Sequence, residues 1–234
     1  MSLSDAVADV FFPPACAACD EVLPAPGAFC EDCRALVLEV GDVHCPRCGE
    51  PGRFPEDGCP RCRALPPPFT RAFAPFEHDG AMARAVHRFK YEDRPDLARP
   101  LGRLLAASAQ RTLSSMPGPF VPLPLHVSRF QERKFDQAAL LCVALAEVLQ
   151  RPVEDAWLSR TRATPRQVGL SDVQREENVA GAFLAAPAVR GQSVVLVDDV
   201  LTTGATAREA ARALLHAGAQ RVFVLTLARA RRDD

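Results

Sequence analysis

Lysine is almost missing from this chain: Lys90 and Lys134 stand against 26 arginines. With alanine and proline abundant, that bias reads as the mark of a GC-rich genome rather than of a selected nucleic-acid surface. Aromatic residues are scarce too, at 6%, and Trp157 and Tyr91 are the sole residues of their kinds. Proteins that hold single strands by stacking offer more such platforms. No run is long and apolar enough to cross a bilayer, so membrane insertion is not expected. The start, Met1 to Asp5, lacks the basic segment and apolar run of a secretory signal. The expectation is a cytoplasmic protein. His78, His87, His126 and His216 have no spacing that makes a metal site or a triad. No serine or cysteine nucleophile is paired with a base, which removes covalent triad chemistry from the candidates.

Cysteine, by contrast, is plentiful, with nine residues. Eight form two matched blocks, Cys16-x-x-Cys19 with Cys30-x-x-Cys33 and Cys45-x-x-Cys48 with Cys59-x-x-Cys62. Ten residues separate the pairs in each block, so the segment is an internal duplication. A C-x-x-C turn puts two sulfurs on one side of a tight knuckle, and two knuckles complete a tetrahedral Zn²⁺ site. Two disulfides per block is the competing reading, disfavoured in a reducing compartment. Short gaps favour one zinc per block; a crossed arrangement sharing cysteines between blocks stays open. With all four positions filled by thiolate, both zincs are structural and fold a segment too small for a sufficient core. His44 is surplus to such a site. Arg47, Arg61 and Arg63 lie within or beside the second block's knuckles, where backbone N–H to sulfur bonding and solvent exposure explain them as well as a binding role does. Cys142, among Leu141, Val143 and Leu145 on a helical pattern, reads as a buried, inert thiol.

Length allows one full domain and a small one. The proposed division is 1–66 and 69–234, joined by Leu65-Pro66-Pro67-Pro68. The first part carries a net charge of −6 and the remainder +5, so the larger part suits phosphate-rich ligands. Leu3, Val7, Val10 and Phe11 predict a short opening helix. Phe73 to Phe76 reads as a strand, 82–89 and 97–113 as helices, and Phe120 to Leu125 as a short strand entering a loop. Leu140 to Leu149 reads as a helix, Val153 to Leu158 as a strand, and Arg221 to Leu227 as the last strand before a polar tail.

The chain is organised around Val194-Val195-Leu196-Val197-Asp198-Asp199-Val200-Leu201-Thr202-Thr203-Gly204-Ala205-Thr206. The aliphatic run predicts a strand buried on both faces, as in a parallel sheet. Two carboxylates follow at its carboxyl end, where open α/β sheets bind ligands. Thr202 to Thr206 then lead into a helix expected over 207–217. Backbone N–H groups at a helix start, with threonine hydroxyls beside them, make a phosphate cradle. An acid pair beside such a cradle suits a sugar phosphate, the acids holding vicinal hydroxyls or a Mg²⁺.

This stretch resembles the ribose-phosphate signature of type I phosphoribosyltransferases, at both acids and at the T-G-A-T turn. The segment Pro122-Leu123-Pro124 through Arg133-Lys134-Phe135-Asp136-Gln137 is similar to the P-x-P-x…R-G-F-N-Q pattern of the ComF family. Lys134 and Asp136 replace its glycine and asparagine. Gln167 to Phe183 resembles that family's Q-x-x-L-S…R-x-x-N-x-x-G-x-F. Two zinc ribbons ahead of a phosphoribosyltransferase domain is the family's order of parts.

The resemblance implies an α/β fold, a type I phosphoribosyltransferase-like parallel sheet with helices on both faces, preceded by a small double zinc ribbon. It implies Asp198 and Asp199 on the ribose hydroxyls, directly or through Mg²⁺, and 202–206 on the 5-phosphate. Arg133 and Lys134 fall at the pyrophosphate loop, and Arg162, Arg166 and Gln167 in a lid. The implied ligand is phosphoribosyl pyrophosphate, with single-stranded DNA and competence proteins as further partners. A base-binding hood is missing, since no segment after Leu227 is long enough to supply one.

Overall fold

The computed structural model describes residues 13–163 and 172–231. The expected opening helix lies outside them, as do Arg166 and Gln167. Each cysteine block ends in one short helix, α1 (Glu31–Ala35) or α2 (Pro60–Ala64), begun directly after Cys30 or Cys59. The chain then runs β1 (Arg71–Phe73), β2 (Phe76–Glu77), α3 (Gly80–Tyr91), α4 (Ala98–Leu113) and β3 (Phe120–Pro122). Next come α5 (Val127–Arg133), α6 (Gln137–Leu149), β4 (Leu158–Arg160), α7 (Asp172–Val179) and β5 (Phe183–Ala185). The last elements are β6 (Ser193–Leu201), α8 (Ala205–His216) and β7 (Arg221–Arg229).

The central sheet is parallel, in the order β1, β7, β6, β3, with β2 pairing farther along β7. β4 and β5 form a separate antiparallel pair. The apolar run of β6 explains its central place, because successive side chains feed opposite faces. Val195 and Val197 join one core with Met82 and Phe89 of α3, Leu101 and Leu105 of α4, and Leu141 and Leu145 of α6. Val194 and Leu196 join the other with Ala207, Ala210 and Leu214 of α8. Helices therefore cover both faces, as expected for a sheet buried on two sides. Burying each such aliphatic side chain is worth about 2 kcal/mol.

Several boundaries differ from those read in the sequence. β6 does not stop before the acids: pairing with β7 continues from Asp198↔Thr226 to Leu201↔Arg229, so both acids are strand residues. β7 correspondingly runs two residues past Leu227. The helix after the acids starts at Ala205, two residues early, because Gly204 takes the left-handed cap position at φ 80°. Around Trp157 the expected strand is a single 3₁₀ turn, Asp155–Trp157, with strand pairing beginning only at Leu158. Val153 nevertheless bridges Phe120 in parallel, at the sheet edge.

The two cysteine blocks lie against different parts of the sheet domain. In the first, Ala17 and Ala28 enter the core beside Phe76 and Met82. Arg88 of α3, itself buried, donates to the carbonyls of Cys16 (3.4 Å) and Ala17 (3.2 Å) and pairs with Asp20, which Arg94 also meets at 2.6 Å. One acid of this block, Asp20, thus has two arginine partners in the larger part. In the second, the carbonyl of Arg47 accepts from the N–H of Ala72 (2.8 Å), and Arg208 of α8 donates to the Leu65 carbonyl (2.9 Å). Arg61 is not simply solvated: it pairs with Glu176 of α7 at 3.3 Å.

Gly118, just before β3, sits at φ 108°, and a Cβ there would lie 1.8 Å from the Ser193 carbonyl oxygen. Gly118→Ala must push apart the start of β6, with an expected loss of about 3 kcal/mol. A denaturation midpoint unchanged by this substitution would contradict the close approach.

Candidate functional site

The eight paired cysteines collect into two clusters, Cys16/Cys19/Cys30/Cys33 and Cys45/Cys48/Cys59/Cys62, with the sulfurs of each within 4.8 Å of one another. Grouping is sequential, one cluster per block. No cysteine of the chain is in a disulfide among the described residues. Cys19 to Cys30 and Cys48 to Cys59 are each 3.7 Å apart. A tetrahedron with Zn–S bonds of ~2.3 Å has edges of about 3.8 Å, so the donor sets fit zinc. The N–H of Cys59 donates to the Cys45 sulfur at 3.2 Å, as ribbon knuckles require. His44 instead bonds the Gly41 carbonyl (3.0 Å) and stays outside the cluster. Cys142 is fully buried, and burial pushes its thiol well above the ordinary range. These clusters support two structural Zn²⁺ ions.

At the carboxyl end of β6 the acids have unlike surroundings. Asp199 is buried and pairs with the Lys90 ammonium of α3 at 2.7 Å. Asp198 accepts the N–H of Asp199 at 2.8 Å. Burial first, and then the neighbouring charge of Asp199, push Asp198 up to about 8 against the opposing pull of Lys90. Arg160 of β4 is near enough for the Asp198 charge to favour its cationic form, although burial lowers its pKa overall.

The sign of that acid's shift has a consequence for stability. The folded chain keeps a proton on Asp198 that the unfolded chain has lost between about pH 4 and about pH 8. Stability of the ligand-free protein therefore falls as pH rises through this window and levels off above it. Asp198→Asn removes this contribution to the slope. Urea midpoints from pH 5 to 8.5 that slope equally in both proteins would rule out Asp198 as the source.

Beyond the acids, Thr202 is exposed, Thr203 buried, and Gly204 supplies the left-handed turn into α8. The Thr203 hydroxyl accepts from the N–H of Ala205 at 3.3 Å. Ala205 and Thr206 stand in the first turn of α8, at the positive end of the helix dipole. Acid pair and turn are consecutive, so an anion at the helix start lies close to the carboxylates.

Arg133 and Lys134 do not occupy an open loop. Arg133 ends α5, donates to Gln137 at 3.0 Å and lies 5.1 Å from the Tyr91 ring centre. Lys134 caps the helix in the left-handed region, at φ 65°, and pairs with Asp93. A glycine at that position, as in the family pattern, has no steric penalty there. Asp136 faces inward: it caps α6 through the N–H of Ala139 (3.1 Å) and accepts that of Leu125 (2.9 Å). A cleft of about 290 Å³ between α3 and α5 is bounded by Lys90, Tyr91, Asp93, Glu132, Arg133 and Lys134. Arg162 is tied to the carbonyls of Asn178 (3.0 Å) and Ala180 (2.6 Å) at the end of α7.

Residues 7–67 match the double zinc ribbon domain, and residues 138–234 the phosphoribosyl transferase domain. The chain is 37% identical to the DNA utilization protein YhgH of Salmonella typhimurium over 86% of its own length and 89% of that protein's. It is 29% identical to competence protein F of Haemophilus influenzae, covering 88% of this chain and 92% of the relative. With competence protein ComFC of Bacillus subtilis it shares 26%, over 81% and 78% of the two chains. The chain belongs to the ComF family. Two residues that sequence reasoning missed gain interest in this ComF-family setting. Lys90 reaches the acid pair from α3. Arg229 of β7, almost fully buried, donates to the carbonyls of Leu201 (2.9 Å) and Thr202 beneath the turn. A lysine in a chain with only two was the available hint for the first; the second had none.

Proposed function

We propose that this chain binds phosphoribosyl pyrophosphate together with Mg²⁺ and supports the uptake or use of DNA. The observation that carries the reading is the continuity of the acid pair, Asp198 and Asp199, with the Thr202–Thr206 turn at the start of α8. Mg²⁺ is commonly held by one or two carboxylates plus substrate phosphates, and Asp198 and Asp199 offer those carboxylates. Thr202 and Thr203, with the N–H groups of Gly204 to Thr206, would take the 5-phosphate. The cleft lined by Lys90 and Arg133 adjoins the acid pair through Lys90 and would take the pyrophosphate. The division at 1–66 and 69–234 is part of this proposal, the first part folding around zinc and the second holding the ligand. The link to DNA rests on the relatives' names, which speak of DNA utilization and competence. If transfer occurs, the chain's residues would contribute by positioning and by excluding water.

Equilibrium dialysis with ribose 5-phosphate and with ribose tests the site. Retention of the phosphate ester alone supports the cradle; equal retention of both, or of neither, contradicts it.

A second reading, a single-strand binding surface, has one observation in its favour. Tyr91 and Phe130 are 58% and 47% exposed, and Arg133 stacks beside Tyr91. Stacking on one aromatic ring is worth ~1–3 kcal/mol per base. Tyr91→Ala should then weaken binding of an oligothymidylate about tenfold, by fluorescence anisotropy at fixed salt. Unchanged anisotropy would remove this reading.

A further inference from the structure

Arg229 makes its third contact outside the sheet domain: its second terminal nitrogen pairs with the carboxylate of Glu50. Glu50 closes the first knuckle of the second cysteine cluster. Its carbonyl accepts the N–H of Cys45 (2.7 Å), and the N–H of Gly49 returns to the Cys45 carbonyl (3.0 Å). The direction of the Glu50 side chain is therefore set by the Cys45–Cys48 turn, which the metal holds shut. On the other side, Arg229 grips the carbonyls of Leu201 and Thr202, the entry to the turn that leads into α8. The Arg229 side chain is 1% exposed and that of Glu50 14%. Desolvated charges of this kind are costly to separate.

We propose that Glu50 and Arg229 form a relay through which the second zinc site positions the Thr202–Thr206 turn, so that loss of that zinc loosens the anion-binding loop. Arg229 is a positioning residue in this scheme, acting through the loop backbone. Knuckle closure orients Glu50, Glu50 orients the guanidinium, and the guanidinium fixes two consecutive peptide carbonyls. With those carbonyls fixed, the following N–H groups at the start of α8 converge. Among the described residues, no ion pair of the first cysteine block reaches that turn. Those of Asp20 with Arg88 and Arg94 end on α3 and on the segment just after it. The phosphate role of the loop rests on the function proposed above; the mechanical coupling does not.

The test is hydrogen exchange by mass spectrometry on the full-length, zinc-loaded protein, with zinc content and ribose 5-phosphate affinity measured in parallel. Glu50→Gln and Arg229→Gln should each speed exchange in peptides covering 201–208 about tenfold while two zincs remain bound. Affinity for ribose 5-phosphate should fall about tenfold as well. Arg229→Lys, which keeps the charge but fewer donors, should fall between wild type and Arg229→Gln. Asp20→Asn, the matching change in the first block, should leave the loop's exchange as it was. Stripping zinc from the wild type with a chelator should reproduce the fast loop. If Glu50→Gln loses zinc, Arg229→Gln, which lies outside the cysteine block, decides. Unchanged loop exchange in both arginine variants overturns the relay, whatever happens to affinity. A faster loop in a protein whose wild type ignores ribose 5-phosphate upholds the relay and sinks the sugar-phosphate reading instead.

Discussion

Replacing Asp198 and Asp199 together by asparagine should lower affinity for phosphoribosyl pyrophosphate in Mg²⁺ a hundredfold or more, with both zincs still bound. Asparagine keeps the volume of each side chain and removes the charges that a divalent cation needs. Charge-assisted contacts are worth ~1.5–3 kcal/mol each, so losing two accounts for about a hundredfold or more. The substitution also has a structural consequence that must be separated from the binding effect. Lys90, whose side chain is 18% exposed, loses its partner at Asp199. An ammonium left without its counter-charge in a buried setting can cost about 3 kcal/mol, somewhat less here because Lys90 keeps some contact with water. Adding Lys90→Met to the pair of asparagines should recover much of that stability without restoring Mg²⁺-dependent binding. Recovery of binding by the methionine, or binding unchanged in the double variant, would remove the acids from the site.

Stripping both zincs with a strong chelator should unfold the segment holding the cysteine blocks and lower the melting point of the whole chain. Zinc binding to small structural sites is worth ~10–16 kcal/mol at neutral pH, much of it expressed as folding. The effect should not stay local, because Ala17 and Ala28 are built into the same core as Phe76, Met82 and Phe89. Arg88 would likewise lose the carbonyls of Cys16 and Ala17 that it holds while buried. Titration with a thiol-blocking mercurial should release two zincs per chain, and circular dichroism should report the accompanying loss of structure. Release of one zinc, or release with no change in melting, would contradict two structural sites.

The parts of the molecule legible in the sequence are those whose chemistry is local. Each C-x-x-C knuckle is a four-residue device, and the even ten-residue gaps favoured one ligand set per block, the crossed arrangement being removed only by where the fold places the sulfurs. The run Val194–Val197 announced a strand buried on both faces, because consecutive aliphatic and β-branched residues suit both sides of a parallel sheet. Gly204 marked the turn. Where strand ends was less legible, since that depends on a partner: β6 continues through its acids only because β7 continues beside it to Arg229. Trp157 misled in the same way, its apolar neighbourhood resembling a strand while the backbone makes a 3₁₀ turn.

Contacts between distant segments were not legible at all. Nothing near Asp199 in sequence points to Lys90, which α3 brings to within 2.7 Å. Glu50 and Arg229 lie 179 residues apart, and their pairing exists only once the second block is seated on the sheet domain. Asp136 stands where the family pattern has asparagine, beside the place at which the resemblance puts a pyrophosphate loop. Its carboxylate is instead spent on the N–H groups of Leu125 and Ala139. Lys134, in turn, carries its charge to Asp93 from a backbone position that suits glycine.

The most direct test of the ligand reading is calorimetric titration of the zinc-loaded protein with phosphoribosyl pyrophosphate, with and without Mg²⁺. The expected result is saturable binding of one ligand per chain that requires Mg²⁺. Absence of binding, or binding of equal strength without the metal, would contradict an acid pair and anion turn acting as one site.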